Sequence, residues 1–158
     1  MDSPPAGQPE LSAPLRLATP DDHAAVLGLI GEYYAFDGID FGAASVSAGL
    51  NMLLADPRLG IACLIERGQQ LAGYLILTFG FDLEFGGRQA TVTDLYLRPE
   101  ARGSGLGAAA LTALEDVGRR LGLKALELQV ERDNLEAQAF YTRLGFTAHD
   151  RVPLSKRL

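Results

Sequence analysis

Glycines alternate at positions 103, 105 and 107 of the stretch RPEARGSGLGAAAL (98–111), behind Arg102 and ahead of three alanines. Alternating glycines let a backbone turn tightly and approach another group closely. Ala108, Ala109 and Ala110 then start a helix whose first N–H groups lack a partner inside it. Such a helix start attracts an anion. The stretch is therefore read as an anion-holding loop.

Three glycine-loop chemistries compete for it. A nucleotide P-loop needs a lysine and a Ser or Thr after its last glycine, and here alanines follow Gly107. The dinucleotide fingerprint G-x-G-x-x-G/A is met by Gly103, Gly105 and Ala108, with Glu131 where a ribose-binding acid would sit. Against it, the charged segment RPEAR separates the glycines from the preceding strand, and only about 50 residues remain for a second parallel half. A loop that merely starts a helix leaves Arg102 and the alternation of glycines unexplained. A second group of polar residues lies downstream: Asn134, Ala137, Gln138 and Tyr141 recur at offsets of three, four and seven and so share one helix face.

The elements that would position these residues follow from periodicity. LRLA (15–18) reads as a first strand. Thr19 then caps a helix with Pro20 at its first position and Asp22 at its third, and Val26, Leu29, Ile30 and Tyr33 mark its buried face. Val46, Leu50, Leu53 and Leu54 predict a second helix that ends before Asp56-Pro57. Strands are predicted at 61–67, 71–79 and 88–97, joined by the short connections GQQ and DLEFGG as antiparallel hairpins. Leu106, Ala110, Leu114, Val117 and Leu121 line a long helix closed by Gly122. A strand at 124–130, a helix at 134–144 stopped by Gly145, and one or two short C-terminal strands complete a βααβββαβαβ order, an α/β chain with a mixed sheet.

The bulk properties set bounds on the partner. The 158 residues suffice for one domain, expected over 15–158, that buries roughly two thirds of its unfolded surface. Residues 1–14, with four prolines, are expected to form a disordered or extended tail. A net charge of −6 argues against nucleic acid and fits a cationic small molecule better. One cysteine, Cys63, and two distant histidines, His23 and His149, offer no metal site. Neither a secretory signal nor a run of ~20 apolar residues is evident, so no membrane partner is expected and the cytoplasm is the expected location.

The segment TDLYLRPEARGSGLGAAAL resembles motif A of the GNAT family of N-acetyltransferases, whose pattern Q/R-x-x-G-x-G/A is filled by Arg102, Gly105 and Gly107. VERDNLEAQAFYTRLGF is similar to motif B of the same family, in which an Asn opens the last helix and an aromatic-Tyr pair precedes Gly-Phe. The resemblance implies the GNAT fold: a mixed, mostly antiparallel central sheet with a splayed parallel strand pair and helices on both faces. It implies acetyl-CoA as the acyl donor, with its pantetheine arm beside Leu95, Tyr96 and Leu97. Its pyrophosphate would lie on Arg102, Gly103, Ser104, Gly105, Leu106, Gly107 and Ala108. Asn134 would bond the pantetheine, small Ala137 would permit close approach, and Tyr141 would protonate the leaving thiolate as general acid. Family members commonly dimerise, which admits a homodimer here.

The acceptor amine and the base are less directly indicated. An alkylamine of pKa ~10.4 is about 0.04% neutral at pH 7, so a group must take its proton. Where related enzymes carry a glutamate, this sequence has Thr91 and Thr93. Asp94 is adjacent, but regular alternation points it to the opposite face unless a bulge re-aims it. Glu32, Asp37 and Glu84 are the other carboxylates expected near the acceptor. They stand with Tyr33 in the acid-and-aromatic stretches EYYAFDGIDF (32–41) and FDLEF (81–85), which suit an ammonium group. The expected reaction is acetylation of a polyamine, amino acid or lysine-like amine. The alternatives are a protein N-terminus, an aminoglycoside, or binding of acyl-CoA without transfer.

Overall fold

The computed structural model describes residues 9–158, so most of the expected tail, residues 1–8, lies outside the described residues. The described chain divides into two compact units between Leu128 and Gln129.

The first unit is built on a five-stranded sheet. β1 (Leu15–Leu17), β2 (Gly60–Arg67), β3 (Gln70–Asp82), β4 (Gly87–Leu97) and β5 (Ala125–Leu128) lie side by side in chain order. All neighbours are antiparallel except β4 and β5, which run parallel because α3 (Leu106–Arg120) crosses over between them. The sheet is thus mixed and mostly antiparallel, as expected.

Helices cover both faces. α1 (His23–Asp37) and α2 (Ala43–Ala55) bury Val26, Leu29, Ile30 and Leu50 against Ala62, Leu64, Tyr74, Ile76 and Tyr96. The alternate strand residues Cys63, Ile65, Leu75, Leu77, Ala90 and Val92 point the other way and are also buried. On that side α3 buries Ala110, Leu111, Ala113, Leu114 and Val117, an i, i+3, i+4 stripe. Each fully buried Leu or Ile contributes roughly 1.5–3 kcal/mol relative to exposure.

The entry to α1 matches the capping expectation with one refinement. The first turn, Pro20–Asp22, is a 3-10 turn, and the Thr19 N–H donates to the Asp22 carboxylate at 2.9 Å while the Asp22 N–H donates to the Thr19 carbonyl at 2.9 Å. Arg16 on β1 then clasps Asp22 and Glu66.

The second unit carries α4 (Leu135–Arg143), close to its expected span. The one or two strands expected after Gly145 are not formed among the described residues. The physical reason lies in what those residues would have to bury. Val152, Leu154 and Leu158 are all exposed, and Pro153 removes a donor from any ladder between charged Arg151 and Lys156.

Candidate active site

The glycine loop takes its shape from two left-handed residues. Gly103 (φ 72°) and Gly105 (φ 78°) occupy a region costly for any residue with a Cβ, yet a Cβ at either would meet no atom within 4 Å. Glycine is therefore required by conformation, and the space in front of the loop is open. α3 starts at Leu106, and the Ala109 N–H is the first to find an acceptor, the Gly105 carbonyl at 3.0 Å. The six preceding N–H groups, from Gly103 to Ala108, donate to no acceptor among the described residues. Arg67 of β2 braces the loop from behind, donating to the Ser104 hydroxyl at 2.8 Å and to the Ala101 carbonyl at 3.1 Å. The Ser104 hydroxyl in turn donates to Ala101 at 2.8 Å. It is committed to the loop's own structure.

β4 presents an open edge beside this loop. Its ladder with β5 runs only from Gln89 to Val92, leaving residues 93–97 with no strand partner on that side among the described residues. The Arg98 N–H donates to Ala72 of β3, so by alternation the N–H and C=O groups of Leu95 and Leu97 turn to the open edge. This gap is the splay the family pattern implies. One of the exposed acceptors is already used: Arg102 Nε donates to the Leu97 carbonyl at 2.9 Å. The Arg102 guanidinium also lies 4.3 Å from the Phe36 ring centroid and 5.6 Å from that of Tyr96. Its fork thus ties the loop to the strand end and to α1.

The same strand carries a bulge. Ile76 pairs with Asp94 but the next residue, Leu77, pairs with Val92, so Thr93 is the extra residue. Side-chain parity reverses there. Asp94 shares the α1-covered face with Ile76, Tyr74 and Tyr96, while Val92 two residues earlier turns to the α3 side and Thr91 joins the Asp94 face; unbroken alternation would have set Asp94 on the opposite face from Thr91.

Asp94 sits among aromatic rings. Tyr74 Oη donates to Asp94 Oδ2 at 2.6 Å. The other oxygen, Oδ1, accepts no hydrogen bond from the described residues and is not a buried unpaired atom, so it reaches solvent. Tyr33 packs against Tyr34, Tyr74 and Tyr96 at centroid distances of 5.6, 6.4 and 5.7 Å, and Phe41 abuts Tyr34 at 5.8 Å. Burial raises the Asp94 pKa above the usual carboxylate range, and the Tyr74 hydrogen bond opposes that rise. The Tyr33, Tyr34 and Tyr74 phenols are all pushed up, first by burial and then by the nearby carboxylates. Among the described residues no Arg, Lys or His pairs with Asp94.

The remaining expected carboxylates differ in their engagement. Glu32 is held in a two-pronged bridge by Arg98, at 2.9 and 3.1 Å, with Arg98 also donating to the Leu71 carbonyl. Asp37 closes α1 beside the Tyr33 phenol. Glu84 lies in the β3–β4 turn, whose ends pair at Asp82 and Gly87, six residues along β3 from the Ile76–Asp94 pair. At ~3.3 Å per residue that is about 20 Å from Asp94. Thr91 shares the Asp94 face, opposite Thr78.

In the second unit, Asn134 caps α4: its side-chain oxygen accepts the Ala137 N–H at 3.0 Å. Only its Nδ2 is then left to donate elsewhere. Gln138 donates to the Glu131 and Arg132 carbonyls at 3.0 and 2.9 Å, fixing the entry to the helix. Tyr141 lies between Phe140 and Phe146, with centroids at 5.1 and 5.7 Å, and burial raises its pKa, keeping the phenol protonated.

Tyr74, Tyr34 and Arg67 were not singled out from the sequence. Tyr74 stands in the apolar run LAGYLILTF, where both faces are buried and a hydroxyl with a partner reads as core. Arg67 ends β2 without a motif. Cys63 has no chemical part here, since burial pushes its thiol up to about 12.

Comparison with known proteins agrees with this geometry. The model of the acetyltransferase (GNAT) family matches residues 30–146. The crystal structure of an integron cassette protein from the mobile metagenome of Cole Harbour Salt Marsh is 34% identical, with a TM-score of 0.82 over 94% of this chain and 93% of that one. The aminoalkylphosphonate N-acetyltransferase of Salmonella typhimurium is 27% identical over 84% of this chain and 83% of its own length. The mycothiol acetyltransferase of Geodermatophilus obscurus is 49% identical over 59 residues, 35% of this chain, which spans only 18% of that protein. By the extent of the family match, this chain belongs to the GNAT acetyltransferase family.

Proposed function

We propose that this protein transfers the acetyl group of acetyl-CoA to the primary amine of a small cationic acceptor, in a complex that holds both at once. The observation that carries the reading is Asp94, a largely buried carboxylate with one oxygen open, aromatic neighbours and no cation beside it. A buried charge without a partner is costly, and an incoming ammonium would offset that cost while the tyrosine faces favour it.

The glycine loop fits the donor. Six consecutive free N–H groups in front of open space suit a pyrophosphate, and the unpaired Leu95 and Leu97 groups suit the amides of a pantetheine arm. When bound, acetyl-CoA supplies the thioester carbonyl as electrophile and its thiol as leaving group.

The chain's own residues would then manage protons. Asp94 Oδ1 takes the ammonium proton, and a base pKa raised toward neutrality makes that transfer less uphill. Tyr141, kept protonated by burial, holds the proton for the departing thiolate. Asn134 offers its Nδ2 to the pantetheine, and Ala137 leaves room for it. Tyr33 and Asp37 form part of the acceptor wall, with Glu32 contributing through its bridge to Arg98. A polyamine, an amino acid or a lysine-like amine all present such an ammonium. The Salmonella relative, named for an aminoalkylphosphonate, extends the class to amines that also carry an anion.

The test is acetyl-CoA-dependent thiol release across polyamines, amino acids, aminoalkylphosphonates, N-terminal peptides and aminoglycosides. Selective release with small amines supports the reading. Release only with peptides or aminoglycosides moves the acceptor class. Tight acetyl-CoA binding without release for any amine marks a binding protein instead. We further propose a cytoplasmic protein without nucleic-acid or membrane partners; homodimerisation is tested by light scattering.

A further inference from the structure

We propose that Tyr74 is a positioning residue for the base: its hydroxyl fixes one oxygen of Asp94 and sets the pH at which the other can accept a proton. The inference rests on the reading of Asp94 as base. It adds a residue that cannot itself touch the acceptor, because Tyr74 is fully buried at 0% exposure.

The geometry divides the carboxylate's work between its two oxygens. Tyr74 Oη approaches Oδ2 at 2.6 Å, at the short end of O–H···O contacts and in the range of a charge-assisted bond to an ionised acceptor. Oδ1 accepts no hydrogen bond from the described residues and reaches solvent. Because Tyr74 is buried beneath α1 against Tyr33 and Tyr96, its ring is locked and its hydroxyl points one way. The carboxylate plane is fixed with it. Asp94 lies on the Tyr74 face because Tyr96, two residues along its strand, pairs with Tyr74, and the bulge at Thr93 turns Val92 away from that face.

Electrostatics make this bond decisive. The groups that face Asp94 are Tyr74 from β3, Tyr33 and Tyr34 from α1, and Tyr96 two residues along its own strand. Asp37 stands beyond Tyr33, and Glu32, Arg98 and Arg102 stand around Tyr96, without pairing with Asp94. With no cation beside it among the described residues, the Tyr74 hydroxyl is the group among them that favours the ionised carboxylate. Removing it leaves burial unopposed, so Asp94 should hold its proton to higher pH.

The test is Tyr74→Phe, which deletes one oxygen and keeps the ring. Titration of the Asp94 carboxyl by carbon-13 NMR in the full chain should show its midpoint moving up by about one pH unit or more relative to wild type. The acid limb of kcat/KM for the best amine should move by the same amount. The loss should be confined to the acid limb and disappear well above the new midpoint, with KM for acetyl-CoA unchanged. An unchanged Asp94 midpoint, or a uniform loss at every pH, overturns the proposal. If the midpoint moves while the wild type acetylates no amine, Tyr74 does set the Asp94 titration and it is the transferase reading that fails. Should Tyr74→Phe not fold, Asp94→Asn and the double variant Asp94→Asn/Tyr74→Phe decide the matter. With the carboxylate gone, adding Tyr74→Phe should change the residual kcat/KM less than twofold. A further tenfold loss overturns the proposal.

Discussion

Arg102 donates through Nε to the Leu97 carbonyl at 2.9 Å while its guanidinium stacks 4.3 Å from Phe36, so one side chain joins the glycine loop to the open end of β4 and to α1. The motif arginine is thereby turned inward, toward the protein. In the proposed donor complex it would hold the loop in place for the backbone N–H groups from Gly103 to Ala108, which find no acceptor among the described residues.

Arg102→Ala should therefore weaken acetyl-CoA binding without abolishing it. The loss of one hydrogen bond and the exposed cation–π contact with Phe36, each about 0.5–1 kcal/mol, corresponds to a roughly five- to thirtyfold rise in Kd. Arg102→Lys keeps the charge but not the planar fork, and should recover only part of the affinity. Calorimetric titration with acetyl-CoA measures both.

Gly105→Ala places a Cβ on a residue at φ 78°. The left-handed conformation costs about 1–2 kcal/mol for such a residue, so the melting temperature should drop by about 3–6 °C. Acetyl-CoA affinity should fall in the same variant, because the strain is relieved by shifting the N–H groups that hold the anion. Gly86, at φ 77° in the β3–β4 turn, supplies the control: Gly86→Ala should lower stability while leaving donor affinity intact.

Asp94→Asn should slow turnover and stabilise the fold. Loss of a general base costs about 10²–10³ in kcat/KM. The stability sign follows from linkage: burial raises the folded-state pKa above the unfolded one, so ionising Asp94 destabilises the fold as pH rises through that raised value. At pH 7 the neutral amide escapes this cost, and the variant should melt higher than wild type. Below the unfolded carboxylate pKa, where both states are protonated, the difference should vanish. Thermal melts at pH 3.5 and pH 7 test the sign.

Tyr141→Phe should lower kcat about 10- to 100-fold with acetyl-CoA affinity nearly unchanged, because the ring remains packed between Phe140 and Phe146. Full activity in this variant would remove Tyr141 from the chemistry.

The elements around the site were legible in the sequence because each carried its own period or punctuation. Val26, Leu29 and Ile30 marked α1, the Asp56-Pro57 step ended α2, and the glycines at 103 and 105 announced the loop. The bulge at Thr93 was not, because alternation assumes one parity along a strand. Its trace is the odd spacing from Val92 to Leu95, both on the α3 face, which becomes readable only when the β3 register is known. Tyr74 was hidden by the same circumstance that makes it useful. In a strand buried on both faces, a tyrosine reads as core, and its partner lies 20 residues away on the next strand. The C-terminal strands expected from the sequence do not form among the described residues, because a short apolar and polar mix there satisfies a strand pattern without offering anything to bury.

The most direct measurement is thiol release from acetyl-CoA by wild type and Asp94→Asn side by side, with mass spectrometry of the amine product, across small cationic amines at pH 6 to 9. Acetyl transfer to a small cationic amine with Asp94 as base predicts one N-acetylated product in the wild type, formed along an acid limb that Asp94→Asn removes with a loss of about 10²-fold or more. Equal rates in the two proteins, or no N-acetylated small amine at any pH, would contradict it.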